Sequence, residues 1–188
     1  MSKHFKRKSP RLPTYTYSEE GWYFVTLCVK NRRPIFGRIE NEKMILSREG
    51  YLAKQEWVNT FHVRKNLRKD SFIIMPDHIH IIIHSVENGD PAEQGDPPDR
   101  PYDTVEYEIG RARRMISGSI SAIIGQYKSL VTKRIWRMSN DRTPIWQRSF
   151  YDHIIRTEND LENLREYIQL NPVNWQLKWD QRNQNCFY

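Results

Sequence analysis

The chain has 188 residues, 38% of them hydrophobic and 12% aromatic, with six Trp, ten Tyr and a net charge of +7. That is chain for one domain with a substantial core, which excludes an intrinsically disordered protein. No apolar run approaches the roughly 20 residues of a membrane span, and Cys28 and Cys186 match no zinc or redox spacing, so a cytoplasmic protein with reduced thiols is expected.

Residues 1–20 read as a basic, Pro-containing arm, in which Lys3, Lys6, Arg7, Lys8 and Arg11 would add salt-sensitive phosphate contacts. "GWYFVTLCVKN", rich in β-branched and aromatic residues, predicts a strand stopped by the polar "NRRP". "LSREGYLAKQEWVNTFHVRKN" sets Leu46, Leu52, Trp57, Val58 and Phe61 at helical spacing, with Ser47 as its start. "DSFIIMPDHIHIIIHSVE" is two apolar runs parted by Pro76-Asp77, which predicts a hairpin or a bend within a sheet.

From Glu87 to Glu108 eight acids face one base, a local charge of −7, so the remainder of the chain carries +14. The Pro, Gly and Asp density there reads as a flexible acidic insertion over about residues 87–110. A body that basic favours a polyanionic partner, nucleic acid being the commonest.

"ISGSISAIIGQYKSLVTKRIWRMS" carries a helical stripe of Ile116, Ile120, Ile123, Ile124, Tyr127, Leu130, Val131 and Ile135, with Lys128, Lys133, Arg134 and Arg137 on a basic edge. "PIWQRSFYDHIIR" predicts a strand with irregular ends; Trp146, Arg148, Phe150, Tyr151 and Arg156 interleave aromatics with arginine, a pattern that stacks bases and meets phosphates, and His153 could donate to a phosphate. "TENDLENLREYIQLNPVNW" predicts a helix capped by Thr157 and ended at Asn171-Pro172. The order β, α, β-β, loop, α, β, α predicts an α+β fold, a ferredoxin- or RRM-like antiparallel sheet, or a mixed one, with helices on one face, over residues 21–178 with a tail at 179–188.

Alternation on the strand puts His78 and His80 on one face, followed by Ile82 and His84, while Ile79, Ile81 and Ile83 fill the other. Two imidazoles on one face suit one divalent ion. The last helix offers Tyr167 and Asn171, four residues apart and so on one side, as a nucleophile and a third ligand. A cation on a phosphodiester neutralises the oxygens that repel an attacking group, and capture by tyrosine keeps the bond energy for rejoining, where hydrolysis would discard it.

The histidine pair in "HIH", "IWQRSFYDHIIR" and "EYIQLNPV" together resemble the HUH single-tyrosine transposases, closest to the REP-associated tyrosine transposases of bacteria, over roughly residues 20–178. The resemblance implies the HUH endonuclease fold and a single-stranded DNA endonuclease and strand transferase acting near hairpins. It implies Mg²⁺ or Mn²⁺ on His78 and His80, with Asn171 as polar third ligand. Tyr167 would be the nucleophile, leaving a 5′-phosphotyrosine link and a free 3′-OH. It also implies a monomer, or a homodimer as in related insertion-sequence enzymes. Two rivals stand beside it: a metal-dependent phosphohydrolase using water, and a non-catalytic nucleic-acid-binding module. Tyr127 is the competing nucleophile, though its place in the apolar stripe favours packing.

Overall fold

Gly21–Cys28 (β1) places Tyr23, Val25 and Leu27 on one side of the strand and Phe24 on the other, all buried. The computed structural model describes residues 20–86 and 119–184, so the basic arm with Lys3, Lys6, Arg7, Lys8 and Arg11, the acidic insertion and Ile116 lie outside the described residues. A 3₁₀ turn at Lys30–Arg32 leads from β1 into a hairpin of Gly37–Glu40 (β2) and Lys43–Leu46 (β3). Then come Arg48–Val63 (α1), Leu67–Met75 (β4), His78–Ser85 (β5), Ile120–Ser139 (α2), Tyr151–Ile155 (β6) and Glu158–Gln184 (α3).

Four strands form one antiparallel sheet in the order β4-β5-β1-β6. The α+β class and the antiparallel sheet are as the sequence reads. The placing of all helices on one face is not. Ile79, Ile81 and Ile83 of β5 join Tyr23, Val25 and Leu27 in a core closed by Trp57 of α1 and Ile123, Ile124, Tyr127 and Val131 of α2. The opposite face carries Phe24, Ile82 and Ile155, and Leu161, Leu164 and Ile168 of α3 cover it. Both faces are apolar enough to need a lid, and helical periodicity marks a buried stripe without saying which face it meets.

The β2–β3 hairpin takes up Leu46, which the helical stripe had claimed; it ends β3. Its two-residue turn, Asn41-Glu42, has φ of +48° and +60°, the left-handed pair that matches the twist of a hairpin. Ser47 does begin α1, accepting the Gly50 N–H at 3.0 Å, and Thr157 likewise accepts from Asp160 N at 3.1 Å.

The other departure is at Pro172. The chain was expected to leave the helix there, yet α3 continues through it to Gln184 and so takes in the first six residues of the expected tail. Proline removes one N–H from the helical ladder and crowds the preceding turn. Here Asn171 and Pro172 are buried, and the next turn sets Trp175 with its ring 5.8 Å from that of His78. Tertiary packing thus holds the helix past a residue that would end it alone. At the other end, Arg165 clamps α3 to β4 with two bonds to Asp70, 3.0 and 2.6 Å, and lies over the Trp22 ring at 5.7 Å. That guanidinium holds the Asp70 carboxyl below its ordinary range.

Candidate active site

β5 starts at His78 directly after the Pro76-Asp77 turn, and the turn is pinned by backbone: Val29 N–H donates to Asp77 O at 2.9 Å and Phe36 N–H to Pro76 O at 3.0 Å. His78 and His80 share the α3 face with ring centroids 4.6 Å apart, and both are buried. His84 points the same way at the far end of the strand, where it stacks on Trp22 at 4.3 Å with the planes 3° apart. It takes no part in the pair.

Across from the imidazoles α3 presents Tyr167. Its hydroxyl is 3.4 Å from His80 Nε2, its ring packs edge-on to Phe24, and the side chain remains 45% exposed. Asn171 is buried one helical turn on, and Trp175 follows after another. Tyr167 meets His80 and Trp175 meets His78, so the stripe carrying Asn171 runs along the pair.

The other ring nitrogens are engaged. His78 Nδ1 is 2.5 Å from Asp77 Oδ1, and Arg32 Nε lies 2.9 Å from Asp77 Oδ2. His80 Nδ1 is 2.9 Å from Thr26 Oγ1. Each histidine is held through Nδ1, leaving Nε2 to the site, the arrangement typical of imidazole ligands. Burial, then the charges of His78 and Arg32, push His80 down to about 3, so near neutral pH its ring is uncharged and one of its two nitrogens bears a lone pair. Among the described residues no three His, Cys, Asp or Glu side chains form a group that could hold a metal ion. The two imidazoles, and the amide of buried Asn171 one helical turn past Tyr167, are donor groups of a kind that divalent ions take.

A cavity of about 500 Å³ opens between the β2–β3 hairpin and α3, lined by Pro34, Gly37, Arg38, Ile39, Pro76, Trp175 and Gln176.

The remaining predicted residues are distributed otherwise. Trp146 is half-buried against Phe36 and Tyr127, its Nε1–H donating to Lys128 O at 3.0 Å. Lys128 donates to Gln147 O at 2.7 Å, and Phe150 packs on the main core. His153 Nε2 is 2.9 Å from Asp160 Oδ2, tying β6 to the start of α3. Arg148, Tyr151 and Arg156 are exposed on or beside the edge strand β6. Tyr127 is fully buried and donates to Ala53 O at 3.0 Å; burial pushes its phenol far up, as packing rather than chemistry would have it.

Sequence reasoning missed Thr26, Asp77, Arg32 and Trp175. Thr26 was legible in principle, because β1 pairs with β5 and puts it opposite His80. Asp77 was hidden by the alternation rule: adjacent strand residues point apart, but Asp77 sits in the turn and bends back to its neighbour.

No family model matches the chain. It is 36% identical over 171 residues, nine-tenths of both chains, to an uncharacterized protein of Haemophilus influenzae, and the two belong to one family. It is 30% identical over 105 residues, 53% of this chain and 46% of the other, to a protein of the same organism named "Putative REP-associated tyrosine transposase". Among solved structures it matches a REP-associated tyrosine transposase bound to a REP hairpin, with a TM-score of 0.58 and 19% identity over 89% of this chain and 74% of that one. The resemblance drawn from the sequence is thus borne out in the fold.

Proposed function

We propose that this chain, built on the fold of the REP-associated tyrosine transposases, is a metal-dependent single-stranded DNA endonuclease and strand transferase that works at hairpins through a 5′-phosphotyrosine intermediate. The observation that carries it is the phenol of Tyr167 at 3.4 Å from His80 Nε2, on a helix whose next turn carries buried Asn171.

His78 and His80 would hold Mg²⁺ or Mn²⁺ with Asn171 completing the protein's share, and the two nitrogen donors favour Mn²⁺. A bound ion would supply charge neutralisation on the phosphate oxygens and fix the in-line geometry. The Tyr167 oxygen forms a bond to phosphorus as the bond to the 3′ oxygen breaks. The phenol proton passes to solvent, to which the side chain is open, and the departing 3′ oxygen takes one up. In rejoining, a 3′-OH attacks the same phosphorus and the tyrosine leaves. The reaction is an exchange of esters, so no outside energy source is needed.

The cavity by Trp175 and Arg38 offers an aromatic wall and a cation to the nucleotide beside the cleaved phosphate. Exposed Arg148, Tyr151 and Arg156 would contact the flanking strand, with the basic arm adding salt-dependent affinity. The REP hairpin bound in the matched structure supports a hairpin partner here, and the chain would act as a monomer or homodimer in the bacterial cytoplasm. No helix among the described residues is long and apolar enough to cross a membrane.

The test is incubation with labelled single strands bearing a hairpin and Mn²⁺, followed by denaturing gels. A protease-sensitive covalent adduct that Tyr167→Phe abolishes is expected. Cleavage with no adduct would instead mean a hydrolase using water, and a mobility shift with no cleavage a binding module.

A further inference from the structure

We propose that Asp77, braced by Arg32, is the positioning residue of this centre: it fixes His78 as the Nδ1–H tautomer and so keeps Nε2 bare for a ligand. The metal consequence rests on the reading given above; the tautomer does not.

The geometry is specific. Asp77 is buried, with one carboxylate oxygen 2.5 Å from His78 Nδ1 and the other 2.9 Å from Arg32 Nε. An ionised carboxylate can only accept, so a neutral imidazole bonded to it must carry its hydrogen on Nδ1. Left to itself in water, an imidazole favours the opposite tautomer, with the hydrogen on Nε2, where it would block a ligand. Arg32 occupies the second oxygen and stops the carboxylate from turning away.

The backbone is shaped to hold this chain of contacts. Arg32 has φ of +53° and Asn31 +58°, conformations that side-chain-bearing residues adopt rarely. Arg32 also donates to Cys28 Sγ at 3.0 Å, and Cys28 is the strand partner of His78. The two histidines are controlled differently. Thr26 faces His80 Nδ1 with a hydroxyl, which can donate or accept and so does not choose a tautomer. Among the described residues the choice at His78 falls to Asp77.

The experiment uses the full chain, first without metal. Long-range ¹H–¹⁵N correlation at neutral pH should show His78 with Nε2 unprotonated in the wild type, and with Nε2 largely protonated in Asp77→Ala. Titration with Mn²⁺, followed by its electron paramagnetic resonance, should then show affinity reduced about 10–100-fold in Asp77→Ala, the range for a lost partner behind a ligand. Arg32→Gln, at a half-exposed position, keeps the question answerable if Asp77→Ala fails to fold; a smaller loss of the same kind is expected. His78→Ala sets the zero for binding. A tautomer unchanged in the variants, or Mn²⁺ held as tightly as by a wild type that binds it, overturns the proposal. If the wild type binds no Mn²⁺ yet Asp77→Ala shifts the tautomer, the positioning role stands and the metal reading falls.

Discussion

Ile81 and His80 are neighbours on β5, yet they look onto two differently built halves of the molecule. On the Ile81 side α1 and α2 close a continuous apolar layer in which even the Tyr127 phenol is satisfied by a backbone carbonyl. On the His80 side, among the described residues, α3 covers the sheet, its apolar residues concentrated at Leu161, Leu164 and Ile168, and beside them the cover is partly open at Tyr167. Alternation lets one strand be anchored through one face and equipped on the other. The lesson is that stability and chemistry are separable here by the parity of a residue's position.

Four substitutions probe that separation. The largest expected effect on stability is on the closed face: Ile81→Ala should cost about 2–5 kcal/mol in urea unfolding, because close neighbours on both sides leave little room to collapse. Ile168→Ala, under a lone helix, should cost less by about 1 kcal/mol or more. Equal costs would mean that the faces are equally load-sharing, and the contrast would be lost.

Next comes pH. His80 has a folded value near 3 against about 6.5 unfolded. Its stability contribution is complete above about pH 6.5 and falls as acid is added, by up to about 1.4 kcal/mol per pH unit, because the unfolded chain takes the proton first. His80→Asn should flatten that part of the curve between pH 6.5 and 4; a difference between the two proteins that does not change with pH would contradict it. Smallest is Tyr127→Phe, which removes one buried hydrogen bond to a carbonyl that the α1 ladder still engages, at about 0.5–1.5 kcal/mol. Adduct formation should survive it, read on the same gels.

Much of this was legible in the sequence, and for a physical reason. Period-two alternation fixed which residues of "HIHIIIH" share a face, and the 3.6-residue spacing put Tyr167 and Asn171 on one side of α3. Periodicity says nothing about which partner a stripe meets, so the location of α3 on the second face could not be read. In "GRIENEKMIL" the first strand alternates, but "KMIL" runs three apolar residues together and the following helix claimed Leu46, which obscured the hairpin. The helix through Pro172 and the bend of Asp77 onto His78 depend on contacts between distant parts of the chain or on turn geometry, which local rules average away.

The most direct measurement is to find the atom that bears the DNA. After reaction with hairpin DNA and Mn²⁺, nuclease trimming and trypsin digestion, mass spectrometry should place a nucleotide phosphate on the peptide spanning residues 166–178, at Tyr167. The same mass on residues 115–128, which carry Tyr127, or on no peptide while the DNA is cut, would contradict the account.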